Sequence, residues 1–184
     1  MRFIYKILLF STLSMLFTGC FSLSSLNPFN SSKTEAKEGY LTIDKINKNS
    51  LMQMPLEHKV GTDSIRILNV KIFSEANRSS LIVEADFIFT SFEIPEGLPA
   101  IARFDSSLKY IPATKEFKLD NLKLKEIRFL KEQLIEYISP KQKIFIKDAL
   151  ISELKELVLH KSNEQFTTIE SFETEDGKIK VKFK

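Results

Sequence analysis

In LIVEADFIFTSF, residues 81–92, apolar side chains alternate with polar ones along most of the stretch. The apolar side chains would share one face of a strand, because successive side chains of a strand point to opposite faces. They are Leu81, Val83, Ala85, Phe87 and Phe89. The opposite face would carry Glu84 and Asp86. This pattern predicts a β-strand with one buried face and one solvated face.

Stretches with strand character lie on both sides of this one. The four predicted strands cover residues 64–74, 81–92, 100–111 and 117–127. Short connections separate them, and the alternation shifts by one residue at Asn121, which predicts a β-bulge. Consecutive strands joined by short turns predict an antiparallel meander with one buried face.

Helical spacing of apolar residues replaces the alternation in the next part of the chain. It predicts a short helix over residues 130–138 and a longer one over residues 141–161, with Pro140 suited to the first turn. A helix of about 20 residues is roughly 30 Å long, which is enough to run along a sheet.

The remaining elements lie at the two ends of the predicted domain. Asp44 is suited to cap a short helix that runs through Met52. Two strand-like segments, residues 166–172 and 178–183, close the chain. Together these elements predict a single α+β domain over residues 40–184.

The first 19 residues have the composition of a secretory signal peptide. Arg2 and Lys6 lie in the first six residues, and the next eleven, residues 7–17, are mostly apolar. Small side chains then precede Cys20, which is the order of a signal peptide with its cleavage site. The apolar run is shorter than the roughly 20 residues that a helix needs to cross a bilayer. We therefore expect residues 1–19 to be removed.

The chain's single cysteine follows this segment directly. Phe17-Thr18-Gly19-Cys20 resembles the lipobox of bacterial lipoproteins, with Phe17 where leucine is usual. The resemblance implies that Cys20 carries a diacylglycerol, and two or more acyl chains hold a protein stably on a membrane. The alternative is an ordinary thiol after a generic signal peptide. Residues 20–39, rich in Ser, Asn, Lys and Glu, would form a flexible tether.

The residue after Cys20 bears on which membrane would hold the lipid. It is Phe21, whereas an aspartate there favours inner-membrane retention in enterobacterial lipoproteins. Similarity to that rule implies an outer-membrane protein that faces the periplasm.

The mature chain offers little for catalysis. His58 and His160 are far apart in sequence, and we interpret both as surface side chains. A lipidated Cys20 cannot act as a nucleophile, and no glycine-rich phosphate loop or metal-ligand spacing occurs. Without Arg2 and Lys6, 25 Lys and Arg stand against 24 Asp and Glu, so the near balance gives no general attraction to nucleic acid. We expect no enzymatic activity, no cofactor and no metal.

Several short segments resemble the YceB-like family of bacterial lipoproteins. They include Tyr40-Leu41-Thr42-Ile43 before Ile46-Asn47, Leu108-Lys109-Tyr110-Ile111-Pro112, and Gly177-Lys178-Ile179-Lys180-Val181. The resemblance implies a curved antiparallel sheet wrapped around one long C-terminal helix, with a short N-terminal helix. That family is in turn similar to the tubular lipid-binding (TULIP) domains, which hold acyl chains between sheet and helix. The tether here is longer than usual for the family, and the stretch from the helix to the last strand is shorter.

The apolar face of the predicted sheet leaves two interpretations open. In one it forms a closed core with the long helix, and in the other part of the interior opens to an elongated apolar ligand such as a lipid. An acyl chain buried there would gain about 0.8 kcal/mol per methylene. The candidate lining residues are Phe87, Phe89, Phe104, Leu108, Tyr110 and Phe117 of the sheet, and Ile144, Phe145, Ile151 and Leu154 of the helix.

A different class of function fits the same sequence. The chain would then be an envelope interaction or scaffold protein that uses its lipid only as an anchor. Strand edges or a lysine-rich surface would bind a protein partner. The alternating Lys178, Lys180 and Lys182 would suit such a surface, although lysines in this pattern also protect an edge strand from aggregation.

Overall fold

Two antiparallel sheets and two α-helices make up the computed structural model, which describes residues 37–184. The predicted signal peptide, Cys20 and most of the predicted tether lie outside the described residues. In chain order the elements are β1 (Lys37–Thr42), α1 (Ile43–Leu51), β2 (Leu56–Val60), β3 (Asp63–Ser74), β4 (Leu81–Thr90), β5 (Leu98–Ile111), β6 (Glu116–Phe129), a 3-10 helix (Glu132–Tyr137), α2 (Pro140–Glu156), β7 (Val158–Lys161), β8 (Ile169–Glu175) and β9 (Lys178–Phe183).

The larger sheet has six strands in the order β2-β3-β4-β5-β6-β7, and all of its pairings are antiparallel. The four strands predicted from alternation are therefore confirmed as β3 to β6, and they form the expected meander. The predicted bulge is confirmed as well, because Asp105 pairs with Lys123 while Ser107 pairs with Asp120. Asn121, inside this bulge, has a φ of +49°, which asparagine tolerates better than most residues.

The smaller sheet has three strands in the order β1-β9-β8. Its first strand begins at Lys37, so the last three residues of the segment predicted as tether belong to the domain. They are held there because β1 pairs along its whole length with β9, and Glu38 forms an ion pair with Lys180 at 3.0 Å.

The prediction of a long C-terminal helix over residues 141–161 is wrong. Helix α2 has 17 residues, about 25 Å of helix, and ends at Glu156. Leu157 already has an extended backbone, and residues 158–161 form β7 beside β6. Leu157 and Leu159 are both buried, and a spacing of two places them on the same face of a strand. At the start of α2 the prediction is right, since Pro140 lies in the first turn and Ser139 with Gln142 forms a capping box.

Helix α1 joins strands that are far apart in the larger sheet. The Asn47 side chain accepts a hydrogen bond from the Ile72 amide at 2.7 Å and donates one to the Ile72 carbonyl at 3.0 Å. The Gln53 side chain, just after α1, makes the same pair of bonds with the backbone of Val158. Beside β3, the Asn47 amide takes the place of a neighbouring strand, because β2 pairs with β3 only as far as Ile67. Beside β7, which is an edge strand of the sheet, the Gln53 amide does the same.

These bonds require the sheet to be curved. Three strands separate β3 from β7, so a flat sheet would hold them about 19 Å apart at roughly 4.8 Å per strand. An α-helix with its side chains is only about 10–12 Å wide. The sheet therefore curls until α1 reaches both strands, and α2 packs on β2, β3 and β6.

Candidate functional site

The phenylalanines predicted to line a ligand space fill the core instead. Phe87, Phe89 and Phe104 are at most 1% exposed, and they belong to one continuous cluster of buried residues. Neither of the two cavities described below is lined by these three residues. Between the sheet and α2, the closed-core interpretation therefore fits the structure better than a lipid channel.

The other predicted lining residues are divided between the core and the surface. Leu108, Tyr110, Phe117 and Leu154 are buried, whereas Phe145 and Ile151 are partly buried and pack on the core. The assignment of Ile144 is wrong, because its side chain is 61% exposed. Helix α2 buries the face that carries Ile146, Ala149, Leu150 and Leu154, and Ile144 points away from that face.

An aromatic cluster lies where the two sheets meet. Tyr110 and Phe117, on neighbouring strands of the larger sheet, have ring centroids 5.0 Å apart. Both contact Phe183 of the smaller sheet, at 6.3 and 6.1 Å. Phe166 stacks on Phe183 with centroids 3.7 Å apart and planes at 9°. The cluster extends the core toward the surface at this end of the larger sheet.

A small cavity of about 110 Å³ opens beside this cluster. We call it the aromatic pocket, and its lining is mostly apolar. It is lined by Gly39, Tyr40, Leu41, Phe117, His160, Ser162, Phe166, Val181 and Phe183. Of the predicted lining residues, the structure brings only Phe117 to this pocket, while Tyr110 lies behind it in the aromatic cluster.

The connection between β7 and β8 covers one side of the aromatic pocket. The Tyr110 hydroxyl donates a hydrogen bond to the Glu164 carbonyl at 3.2 Å and accepts one from the Phe166 amide at 3.3 Å. The Ser162 amide donates to the Lys115 carbonyl at 2.8 Å. These bonds hold Phe166 over Phe183, so the side of the pocket formed by Phe166 depends on a short loop and not on a strand.

A second cavity, of about 170 Å³, adjoins the aromatic pocket. We call it the polar pocket. It is lined by Tyr40, Leu41, Thr42, Lys45, Ile46 and His160. Three of these residues, Tyr40, Leu41 and His160, also line the aromatic pocket, so the two cavities adjoin each other.

His160 is one of the three residues that line both cavities. Its ring centroid is 5.9 Å from that of Phe117. Burial lowers the pKa of the imidazole below its usual value, and the nearby Lys45 ammonium lowers it further. At neutral pH the ring is therefore uncharged, with one N–H donor and one acceptor.

Both histidines, which we interpreted as surface side chains, are only partly exposed. His160 lies on β7 and pairs with Phe117 of β6, beside the aromatic cluster. His58 is also partly covered, and its Nδ1 lies 3.0 Å from Glu153 Oε1 of α2. The spacing of two between the apolar Leu157 and Leu159 was the one sequence signal for the strand that places His160.

Residues 37–184 hold no group of three or more His, Cys, Asp and Glu placed to bind a metal ion. Within the same residues, no helix is long and apolar enough to cross a membrane.

The chain was compared with models of known protein families and with curated proteins, and neither comparison gave a match.

Proposed function

We propose that this chain is a lipid-anchored protein of the bacterial cell envelope whose folded domain binds the hydrophobic part of a ligand in the aromatic pocket. The anchor rests on the sequence around Cys20, and its placement in the outer membrane rests on Phe21. The observation that carries the binding proposal is the pocket itself, an opening lined by Phe117, Phe166 and Phe183.

The pocket differs from the site that the YceB-like resemblance implies. That resemblance and its link to TULIP domains place acyl chains between sheet and helix, where this domain is filled by Phe87, Phe89 and Phe104. The antiparallel meander supports a relationship with that family, whereas the short α2 does not. We therefore keep the ligand class that the resemblance implies and move its site to the junction of the two sheets.

The volume of the aromatic pocket limits the size of the ligand. Sites for drug-sized molecules measure about 300–1,000 Å³. The aromatic pocket, at about 110 Å³, is smaller than that. It suits one end of an acyl chain or a single ring, and each buried methylene would contribute about 0.8 kcal/mol to binding. A short single-chain molecule fits better than a two-chain phospholipid.

Gly39 offers a direct test, because a Cβ built at this position lies 3.3 Å from Phe183 Cε2. Gly39→Val would place a larger side chain in the aromatic pocket, and valine suits a β-strand. Ser171→Val is the matched control, since Ser171 is exposed on β8 of the same sheet and lines neither cavity.

The experiment uses the mature chain, residues 20–184, carrying Cys20→Ser so that no acyl group competes for the pocket. Isothermal titration calorimetry measures the binding of 1-octanol, whose single chain the pocket can take. We expect Gly39→Val to weaken the binding of 1-octanol about tenfold, equivalent to the loss of roughly two buried methylenes. Ser171→Val should bind like the unsubstituted domain. No binding to the unsubstituted domain, or equal binding by a folded Gly39→Val domain, would contradict the proposal.

The alternative proposal is an envelope interaction protein, and one observation favours it. Large apolar side chains are exposed where β2, β4 and β6 end and α2 begins. They are Val60, Phe92, Leu130, Tyr137 and Ile144, of which Phe92 is 80% exposed. Crosslinking in cells that captures one stoichiometric protein through a probe at Phe92, together with no ligand in the aromatic pocket, would favour this alternative.

A further inference from the structure

We propose that the ligand is a single-chain amphiphile with an anionic head group, a carboxylate above all, whose chain enters the aromatic pocket and whose head group lies in the polar pocket against Lys45. This inference rests on the proposed function, because it assigns a head group to the ligand whose hydrophobic part the aromatic pocket takes.

The two cavities adjoin each other and differ in polarity. One is mostly apolar and the other carries polar side chains, and they share Tyr40, Leu41 and His160. A molecule that occupies both must therefore be apolar at one end and polar at the other. The cavities measure about 110 and 170 Å³, which suits a chain of moderate length with a compact head group.

The charge of the lining favours an anion. Lys45 is the one ionised side chain among the lining residues at neutral pH, and no Asp or Glu lines either cavity. Within residues 37–184, Lys45 forms no ion pair. An ammonium group has three donors and no acceptor, so an anion is the partner that it lacks.

The groups beside Lys45 add hydrogen-bonding capacity. Thr42 lines the polar pocket, and although it precedes α1 its side chain makes no capping hydrogen bond. His160 adds one N–H donor in its uncharged form. These two donors and Lys45 match a carboxylate, which offers two oxygens and about four lone-pair sites.

The solvent exposure of Lys45 sets the size of the preference for an anion, and one acidic residue lies next to it in sequence. Asp44 precedes Lys45 in the first turn of α1, but it does not line the polar pocket. Lys45 is exposed, so solvent screens its attraction for an anion. Exposed ion pairs of this kind change an affinity about three- to fivefold, and we expect a preference of that size.

The test compares octanoate with 1-octanol, which share the chain and differ in head group. Isothermal titration calorimetry at pH 7.5 would measure both affinities for the Cys20→Ser mature chain. Lys45→Met keeps the length of the side chain and removes its charge. Lys48→Met is the matched control, since Lys48 is exposed on the same helix and lines neither cavity.

The expected result is that the unsubstituted domain binds octanoate about three- to fivefold more tightly than octanol. Lys45→Met should lose this preference by weakening octanoate alone, whereas Lys48→Met should keep it. Equal affinities of the unsubstituted domain for octanoate and octanol would overturn the head-group assignment, and so would equal weakening of octanoate binding by Lys45→Met and Lys48→Met. Neither result would contradict binding of the chain in the aromatic pocket. If neither molecule binds, the proposed function and this inference both fall.

Discussion

Replacing Asn47 with alanine tests how the larger sheet is closed. The side-chain amide of Asn47 satisfies both the N–H and the C=O of Ile72, at 2.7 and 3.0 Å, on the side of β3 where β2 has already ended. Asn47→Ala leaves these two backbone groups without a protein partner. An unsatisfied buried group costs about 1–3 kcal/mol, and the lower end applies here because the site is only partly buried.

The expected loss of stability follows from these terms. Two groups at the lower end amount to about 2–3 kcal/mol, and alanine's better helix propensity returns roughly 0.5 kcal/mol in α1. We therefore expect Asn47→Ala to lower the free energy of unfolding by about 2 kcal/mol, measured by urea denaturation followed by circular dichroism. The control Lys48→Ala, exposed on the same helix, should change it by less than about 0.5 kcal/mol. If the two variants are equally stable, α1 does not close the sheet in the way described.

Three further predictions concern the core, the histidine and the anchor. Leu154→Ala should lower the free energy of unfolding by about 2–5 kcal/mol because Leu154 is fully buried, whereas Ile144→Ala should change it little; similar losses in urea denaturation would contradict the assignment of the buried face of α2. Burial and Lys45 lower the pKa of His160 below 6.5, so the unfolded chain binds a proton more readily. Stability should therefore be unaffected by this group above pH 6.5 and fall as the pH drops from 6.5 to the folded-state pKa; His160→Gln should reduce that fall in urea denaturation at several pH values, and an unchanged slope would contradict it. Radiolabelled palmitate should enter the protein in cells, and equal labelling of a Cys20→Ala variant would contradict lipidation.

The central strands could be predicted from sequence because each has one buried and one solvated face. Along β4 and β5 every second residue is buried, and that periodicity is visible in the sequence. The bulge at Asn121 was equally visible, since one extra residue reverses the alternation that follows it. Local patterns of this kind do not depend on distant parts of the chain.

The end of α2 and the candidate site depend on contacts that sequence patterns do not show. Val158 becomes part of a strand because its backbone bonds to Gln53, 105 positions earlier, and residues 158–161 lie beside β6. His160 is placed beside Phe117 by the same pairing. Phe166 reaches the aromatic pocket through the bonds of its loop to Tyr110, and no periodicity marks a loop residue as part of a site.

The position of a bound chain is the most direct test of the account. Intermolecular nuclear Overhauser effects between octanoate and the isotopically labelled Cys20→Ser mature chain would locate it. We expect contacts from the terminal methyl of octanoate to Val181 and Phe183, which line the aromatic pocket. Contacts to Phe89 and Leu154, between the larger sheet and α2, would contradict it and restore the interior site that the family resemblance implies.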